Sequence, residues 1–373
     1  MKVWLCYMNA GGGHKAPAQA LARAMKELEG NNIETELFNL ADGASFFLRY
    51  LVEDGYVWLI EKAPFLYALV YEISLFKLLI ALEHKLGVLF LKKKIKNKIA
   101  QEKPDLIVAT FFLVSAIKEA LGELGLKTPF YVVVTEPYSV PPVWFYEKHI
   151  PYVVFSERAK RISELCGAAN VQQFPPIVNN PLSHILSVAE KKMWREKLGL
   201  DPVKKIILLI GGGAGLPRGE KIMEKFLRSS LDVQYVVVCG NNADFKNNIT
   251  KISAKYSKNI KVFGFVDFVP ELIALSDLVV TKAGGGVIAE AMAESKPILI
   301  THYIYGQEKG TMEHVVAHAV GWYEPEPTEA VRRVTQFFGN AIEQKRIEEK
   351  YKKLSLQSGN YPTAKFLIDQ VRQ

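Results

Sequence analysis

Short apolar runs alternate with helical patterns along the chain. The runs cover residues 3–8, 34–40, 105–110, 130–135 and 152–156 in the first half, and 206–210, 235–239, 260–263, 278–281 and 298–301 in the second. Short apolar runs bounded by turn residues predict buried parallel strands, and the amphipathic stretches between them predict crossover helices. The proline-rich stretch 175–181 can form neither a helix nor a central strand. The pattern therefore predicts an α/β protein of two doubly wound domains with a cleft between them.

Three of the predicted strands end in a glycine cluster that precedes a helical pattern. The clusters are at residues 11–13, 211–215 and 284–286, and His14 directly follows the first. A glycine loop between a strand and a helix exposes backbone N–H groups at the positive end of the helix dipole, which is an anion site. Three such loops, in both halves of one chain, predict a large phosphorylated ligand held between two domains.

A long helical stretch at 45–100 is apolar almost all round between residues 65 and 91. A helix of that kind is either buried or placed in an apolar medium. Lysines cluster toward its end, with no acidic residue between Glu83 and Glu102: they are Lys85, Lys92, Lys93, Lys94, Lys96 and Lys98. The combination fits an interfacial membrane segment on an anionic leaflet, and it fits equally well a core helix pair with a basic, solvated end.

Length and composition agree with a globular, two-domain protein. The chain has 373 residues, of which 49% are apolar and 23% charged, and a net charge of +8. Its three cysteines are far apart, so their spacing predicts neither a disulfide framework nor a zinc site. The chain opens on a predicted strand, and no uncharged apolar stretch reaches the ~18 residues of a membrane span. Neither a signal peptide nor a span is expected.

The motifs around the glycine clusters resemble those of glycosyltransferase family 28. The resemblance is dense over 263–310, which includes the glycine cluster at 284–286 and the sequence Gly-Gln-Glu-Lys-Gly at 306–310. It is clear again at 9–21, around the first glycine cluster and His14, and thinner over 103–178. Within the family the chain is most similar to the monogalactosyldiacylglycerol synthases and the bacterial diacylglycerol glucosyltransferases.

The resemblance implies a GT-B fold, with two Rossmann-like domains that face a central cleft. Residues 1–178 are expected to form an acceptor-binding domain whose segment 45–100 faces the membrane. Residues 179–355 are expected to form the nucleotide-sugar-binding domain, and 356–373 a helix that packs back on the first domain. The donor substrate is expected to be a UDP-hexose, with no cofactor and no metal, because the chain has no Asp-x-Asp motif.

The resemblance also implies the residues of the donor site. Glu290 matches the family's glutamate that accepts the ribose hydroxyls, although an acid near a helix N-terminus can also serve the helix dipole. Gln307 and Glu308 match donor-sugar ligands, and the alternative is a polar surface loop. The remaining predicted nucleotide contacts come from Gly12, Gly13, Gly212, Gly213, Phe265, Gly284, Gly285 and Gly286.

His14 is the predicted catalytic base. It lies where a glycine loop meets a helix N-terminus, which favours the neutral imidazole that can take a proton from an acceptor hydroxyl. Lone histidines are more often structural, but this one matches the family motif in position. The implied reaction is inverting transfer, in which backbone amides and helix dipoles stabilise the leaving diphosphate.

Several residues depart from the family pattern in the acceptor domain: Phe111, Phe112, Glu136 and Pro141. Because of these departures, the identity of the lipid acceptor stays undetermined. Val287 and Thr311 also depart from the pattern, and they leave the identity of the hexose undetermined. A MurG-like transferase acting on a polyprenyl lipid, a nucleotide-sugar epimerase and a non-catalytic sugar-nucleotide or lipid-binding protein are the alternatives. Nucleic acid is not an expected partner, because the aromatic residues near the lysines fit a helical core. The expected location is cytoplasmic, peripheral on the inner face of the cell membrane.

Overall fold

The computed structural model describes residues 1–9, 13–42, 55–178, 185–213, 215–256, 258–354 and 358–372. It divides into two compact units. The first contains Met1–Asn179, Tyr305–Gln307 and Ser358–Gln373, and the second contains Asn180–Ile304 and Glu308–Gln357. Each unit is built around its own parallel sheet.

The described strands and helices alternate through most of the chain. The strands are β1 (Lys2–Tyr7), β2 (Glu34–Asn39), β3 (Leu106–Ala109), β4 (Phe130–Val133), β5 (Tyr152–Val154), β6 (Val171–Gln173), β7 (Ile206–Ile210), β8 (Gln234–Val238), β9 (Ile260–Phe263), β10 (Leu278–Lys282), β11 (Ile298–His302) and β12 (Gly321–Tyr323). The helices are α1 (Lys15–Glu29), α2 (Gly55–Lys62), α3 (Pro64–Ser74), α4 (Lys77–Glu102), α5 (Ser115–Leu124), α6 (Glu157–Leu165), α7 (Val188–Lys197), α8 (Gly219–Arg228), α9 (Ala243–Ser253), α10 (Val269–Leu275), α11 (Gly285–Ala293), α12 (Lys309–Ala317), α13 (Pro327–Phe338), α14 (Ala341–Leu354) and α15 (Asn360–Arg372).

The first sheet has the strand order β2-β1-β3-β4-β5-β6, and all its pairings are parallel. Strands β3, β4 and β5 are buried along their whole length, because crossover helices cover both faces of a parallel sheet. The order reverses between β1 and β3. In open α/β sheets, ligands bind outside the carboxyl ends of the strands at such a reversal.

The second sheet has the order β12-β11-β10-β7-β8-β9 and is again entirely parallel. Its order reverses between β7 and β10, the two strands that lead into the second and third glycine clusters. The two doubly wound sheets that the sequence predicts are therefore confirmed.

Two short strands are not predicted by the sequence pattern. Strand β6 carries two exposed glutamines, and β12 begins with a glycine and has three residues. Both lie at the outer edge of their sheets, where one neighbour is missing and an apolar run is not required. The pattern of buried residues therefore does not reveal them.

The predicted helical stretch 45–100 divides into separate helices. Residues 45–54 lie outside the described part of the chain, and α2, α3 and α4 cover the remainder. Helices α3 and α4 are bent by 94° at the break between them. No single described helix is long and apolar enough to cross a bilayer, whereas this bent pair passes that test by length and composition together.

Helix α4 has one packed face and one uncovered apolar face. Ile80, Leu91, Ile95 and Ile99 are buried in the core of the first unit. The opposite face and the neighbouring α3 present large apolar side chains to solvent: Phe65, Leu66, Leu69, Val70, Ile73, Phe76, Leu78, Leu82, Leu86, Leu89 and Phe90. These eleven residues are called the apolar face below. A patch of this kind is typical of an interaction surface and not of a helix pair enclosed by a core.

The C-terminal helix α15 belongs to the first unit. The Asn360 amide closes a reciprocal pair with Val178, donating from Nδ2 to the carbonyl at 2.8 Å and accepting from the backbone N–H at 3.0 Å. The Tyr361 hydroxyl bonds Glu27, and Arg372 pairs with Glu29, so α15 is fixed along α1.

Candidate functional site

The first glycine cluster leads into α1 at the reversal of the first sheet. Gly12 lies outside the described residues. A Cβ added at Gly13 would meet nothing within 4 Å, so the backbone there borders open space. His14 is the residue before the first turn of α1, and its side chain is 4% exposed. The fold therefore places His14 at the carboxyl end of β1, next to the carboxyl end of β3.

Hydrogen bonds fix the tautomer of His14. Its Nδ1 lies 3.0 Å from the carbonyl oxygen of Thr110 and 2.8 Å from Oγ1 of Thr135. A carbonyl oxygen only accepts, so Nδ1 carries the proton and Nε2 keeps its lone pair. Burial lowers the pKa of His14 to about 4, against the opposing effect of the bond to Thr110. The ring is therefore neutral at pH 7, with Nε2 able to accept a proton.

Aromatic side chains surround His14 on one side. The ring of Phe111 meets it edge-on at 4.9 Å between centroids, and the ring of Trp144 lies 5.9 Å away. Phe112 stacks on Phe111 and meets Trp144 edge-on. Two of the departures from the family pattern, Phe111 and Phe112, thus form an apolar wall beside the predicted base. Pro141 precedes the 3₁₀ turn Pro142–Phe145, which carries Trp144.

Glu136 and Gln307 are joined within the first unit. The Trp144 indole donates to Glu136 Oε2 at 3.1 Å, and the Gln307 amide donates to Glu136 Oε1 at 3.0 Å. Gln307 is thus grouped with the predicted acceptor-side residues, whereas its neighbour Glu308 belongs to the second unit. The resemblance, by contrast, implies one donor-sugar group for both residues.

The second glycine cluster forms a tight loop after β7. A Cβ at Gly211 would lie 2.1 Å from the carbonyl oxygen of Gly215, so only glycine fits there. Gly212 has a φ of +79°, in the left-handed region. Added Cβ atoms at Gly212 and Gly213 would meet nothing within 4 Å. The loop is therefore open on the side where these Cβ atoms would lie, while its carbonyls contact Gly240 and Asn241. The sequence pattern indicates a helix directly after the cluster, whereas α8 begins only at Gly219.

The third glycine cluster is itself the start of α11. Gly284 precedes the helix, and Gly285 and Gly286 form its first turn, which contains no acidic residue. Their N–H groups have no intrahelical acceptor and form a positive helix end. A Cβ at Gly285 would meet nothing within 4 Å. Glu290 follows one turn later and is buried.

An ion pair that the sequence pattern does not single out lies beside this helix end. Glu308 is buried, its Oε1 pairs with Lys282 Nζ, and its Oε2 accepts the Ile304 N–H at 2.9 Å. A Cβ at Gly284 would lie 3.3 Å from Lys282 Nζ and 3.6 Å from Glu308 Oε1. The sequence signal that could have identified Lys282 is its position, because it closely precedes the glycine cluster.

Phe265 follows a different strand of the second sheet from the two glycine loops. It follows β9, the outer strand, two strands from β7, and it is 72% exposed. Among the described residues, no group of three or more His, Cys, Asp or Glu side chains is arranged to hold a metal ion.

Two family sequence models match separate parts of the chain. The "Glycosyltransferase family 28 C-terminal domain" matches residues 207–321, which lie mostly in the second unit and include both of its glycine loops. The "Monogalactosyldiacylglycerol (MGDG) synthase" model matches residues 14–170, in the first unit.

Curated relatives are similar over most of the chain at low identity. "Monogalactosyldiacylglycerol synthase, chloroplastic" of Spinacia oleracea is 27% identical over 91% of this chain and 66% of its own length. "Processive diacylglycerol beta-glucosyltransferase" of Bacillus cereus is 29% identical over 59% of this chain and 56% of its own length. The chain thus spans about two thirds of the spinach relative.

Solved structures share the fold. The glycosyltransferase of kitacinnamycin aligns with a TM-score of 0.66 at 12% identity, and MurG of Acinetobacter baumannii with 0.60 at 13%, each over 99% of both chains. At such identities the likeness shows the GT-B fold alone. The two sequence matches confirm the resemblance that the motifs indicate, to glycosyltransferase family 28 in the second unit and to the monogalactosyldiacylglycerol synthases in the first.

Proposed function

We propose that the protein transfers a hexose from a UDP-sugar to diacylglycerol in a membrane, with inversion at the anomeric carbon. One observation carries the proposal: the glycine loops after β7 and β10 lie on adjacent strands at the reversal of the second sheet. Open space borders these loops at Gly212, Gly213 and Gly285, as a bound diphosphate requires. The choice of diacylglycerol as acceptor comes from the names of the relatives, and the apolar face supports a lipid acceptor.

The donor nucleotide lies, in this proposal, over the carboxyl ends of β7 and β10. The first turn of α11 and the loop at Gly212–Gly213 donate N–H groups to the diphosphate. Glu290 accepts the ribose hydroxyls. Amide donors fixed before the reaction stabilise the charge that develops on the leaving UDP without reorganisation.

His14 is the proposed base. Its neutral ring and unprotonated Nε2 meet the two requirements of a group that takes the proton of an acceptor hydroxyl. Phe111 and Phe112 form the apolar side of the same site, which favours a lipid glycerol over a polar acceptor. The hydroxyl attacks the anomeric carbon as the C–O bond to UDP breaks on the opposite face.

The proposed acceptor lies in a membrane, and the protein is peripheral on its cytoplasmic, inner face. The apolar face of α3 and α4 is the docking surface. Burying one such side chain contributes about 1.5–3 kcal/mol when burial is complete. Lys85 and Lys93 are exposed on α4 and would face anionic headgroups, each worth about 1 kcal/mol.

A product assay tests the function. The protein is incubated with labelled UDP-glucose, UDP-galactose or UDP-N-acetylglucosamine and with mixed micelles of diacylglycerol or of polyprenyl phosphate lipid. The expected product is a β-hexosyl diacylglycerol, identified by mass spectrometry and by the anomeric proton signal. An α-linked product would contradict inversion, and transfer only to the polyprenyl lipid would replace the acceptor. Binding of UDP-hexose without any product would favour a sensor.

A further inference from the structure

The start of α11 brings a positive helix end and the Lys282 ammonium group to one point. The helix has no acidic residue in its first turn, and Lys282 Nζ lies against Gly284 at the same point. A cation at a helix N-terminus is unfavourable, because the dipole is positive there. Glu308 offsets the charge of Lys282. Arg218, whose charge also lowers the pKa of the neighbouring His302, is paired with Glu326.

Lys282 has hydrogen-bonding capacity left. An ammonium group has three donors, and Glu308 is its one acceptor among the described residues. The Lys282 side chain is 21% exposed and that of Glu308 9%, so the lysine forms the open side of the pair. The pairing of β10 with β11 shifts register between Thr281 and Lys282, so that Lys282 pairs with His302.

Glu308, by contrast, has a bonded partner on each carboxylate oxygen. Its two oxygens are taken by Lys282 and by the Ile304 N–H, and the carboxylate is buried. Its geometry suits a residue that holds another side chain in place, and it differs from the direct sugar ligand that the resemblance implies. His302 lies in the same group, and burial lowers the pKa of its ring, so it adds no full charge at pH 7.

We infer that Lys282 binds the diphosphate of the donor and that Glu308 is the positioning residue that aims its ammonium group at the start of α11. The inference rests on the proposed function, since it names a residue of that donor site. The ammonium and the helix N–H groups then share one dianionic ligand, whose negative charge complements both. The ligand class is a nucleoside diphosphate.

Calorimetry with UDP and uridine tests the role of Lys282. Lys282→Met is expected to weaken UDP binding about 10- to 100-fold, the range of charge-assisted hydrogen bonds, and to leave uridine binding unchanged. Lys282→Arg should recover part of the loss. Lys251→Met, at an exposed lysine of α9, is the matched control and should bind UDP normally. UDP affinity within about twofold of wild type in Lys282→Met overturns the inference, whereas wild-type protein that ignores UDP overturns the proposed function instead.

The same titration separates the two roles of Glu308. Glu308→Gln keeps an acceptor for the Ile304 N–H and removes only the charge that holds Lys282. It is expected to weaken binding of sugar-free UDP about 3- to 10-fold, and to cause no further loss in the Lys282→Met background. Normal UDP affinity combined with slow hexose transfer would make Glu308 a sugar ligand and overturn its positioning role.

A measurement on the wild-type protein avoids any folding defect of the variants. Lysines are acetylated with a water-soluble reagent, and each site is quantified by mass spectrometry. Saturating UDP should slow acetylation of Lys282 at least about threefold, because a lysine bound to phosphate is no longer a free nucleophile. Uridine should not slow it, and Lys251 should be unaffected by either ligand. Equal acetylation of Lys282 with and without bound UDP contradicts the contact.

Discussion

The Nδ1 atom of His14 lies 3.0 Å from the carbonyl oxygen of Thr110, and the Thr110 hydroxyl donates in return to the His14 carbonyl at 2.9 Å. This reciprocal pair joins the carboxyl end of β3 to the start of α1. It fixes both the tautomer and the orientation of the ring, since Nδ1 must carry the proton. Nε2 is therefore the ring atom that can act as a base.

Replacing His14 by Asn tests that assignment. The Asn amide can still donate to Thr110, as Nδ1 does, but it provides no basic nitrogen. Turnover is expected to fall roughly 10²–10⁴-fold, with UDP affinity unchanged. His14→Gln is the matched variant, because it lacks the base and also places its amide differently. Steady-state kinetics and UDP calorimetry measure the two effects.

Near-normal turnover in His14→Asn would contradict the assignment of His14 as the base and would make Glu136 the candidate base. That carboxylate accepts from Trp144 and Gln307, so it is held in a defined orientation within the first unit. Glu136→Gln, combined with His14→Asn in a double variant, would then abolish the remaining activity.

The buried His14 also makes stability depend on pH. Its pKa is about 4 in the folded protein and about 6.5 in an unfolded chain, so folding favours the neutral ring. The contribution is complete above pH 6.5 and is lost as the pH falls toward 4, by about 3 kcal/mol in total. Urea unfolding at about pH 7.5 and about pH 4.5 should show a smaller pH effect in His14→Asn than in wild type. An identical pH effect in both proteins would contradict the buried, neutral ring.

Glu290 is expected to bind the ribose of the nucleotide. Glu290→Gln should weaken binding of UDP and of uridine about tenfold, because the amide replaces a charged acceptor of two hydroxyl groups. Glu294→Gln, four residues later and at the end of the same helix, is the control and should bind both normally. Unchanged uridine affinity in Glu290→Gln would remove this residue from the site.

Two glycines of the loop after β7 are expected to have different roles, one in folding and one in ligand binding. Gly211→Ala should destabilise the second unit by more than about 2 kcal/mol, since its Cβ would overlap the Gly215 carbonyl. Gly213→Ala has open space and should fold normally, yet bind UDP at least about tenfold more weakly if the diphosphate occupies that space. Thermal unfolding and calorimetry are measured on both variants. Normal UDP affinity in Gly213→Ala would place the diphosphate elsewhere.

The apolar face predicts membrane binding that survives high salt. Replacing Leu78, Leu89 and Phe90 by Ser should weaken binding to liposomes at least about tenfold, because these exposed side chains lose the free energy of burial. Leu165, which is as exposed as Leu78 but lies on α6, provides the control substitution. Flotation assays measure the bound fraction, and activity on detergent-dispersed lipid should change little. Equal flotation of the triple variant and wild type would contradict the docking surface.

The lysines contribute unequally to the salt-sensitive part of membrane binding. Lys92 and Lys96 pair with acidic residues of α5, and Lys98 pairs with Glu36 and Glu102. Replacing the exposed Lys85 and Lys93 by Gln should therefore reduce binding to anionic vesicles more than replacing Lys92 and Lys96. The reverse order would show that the ion pairs open at the membrane.

Local sequence patterns specify most strands of both sheets and the places where they turn. A buried parallel strand must be continuously apolar, and a close backbone approach to an anion must be glycine, so both leave a local signal. Strand boundaries at Ile206–Ile210 and Ile260–Phe263 follow directly from it. The family motifs identify His14 and Glu290 for the same reason, because each directly follows or closely neighbours a glycine cluster.

Contacts between distant parts of the chain determine those properties of the site and of the helices that local sequence patterns do not specify. The tautomer of His14 depends on Thr110, 96 residues away, and the engagement of Glu308 on Lys282, 26 residues away. Whether the helical stretch is core or surface depends on which face α4 turns toward the sheet, and a helix apolar on all sides gives no periodicity from which to read that face. The edge strands β6 and β12 need only one neighbour, so no apolar run marks them.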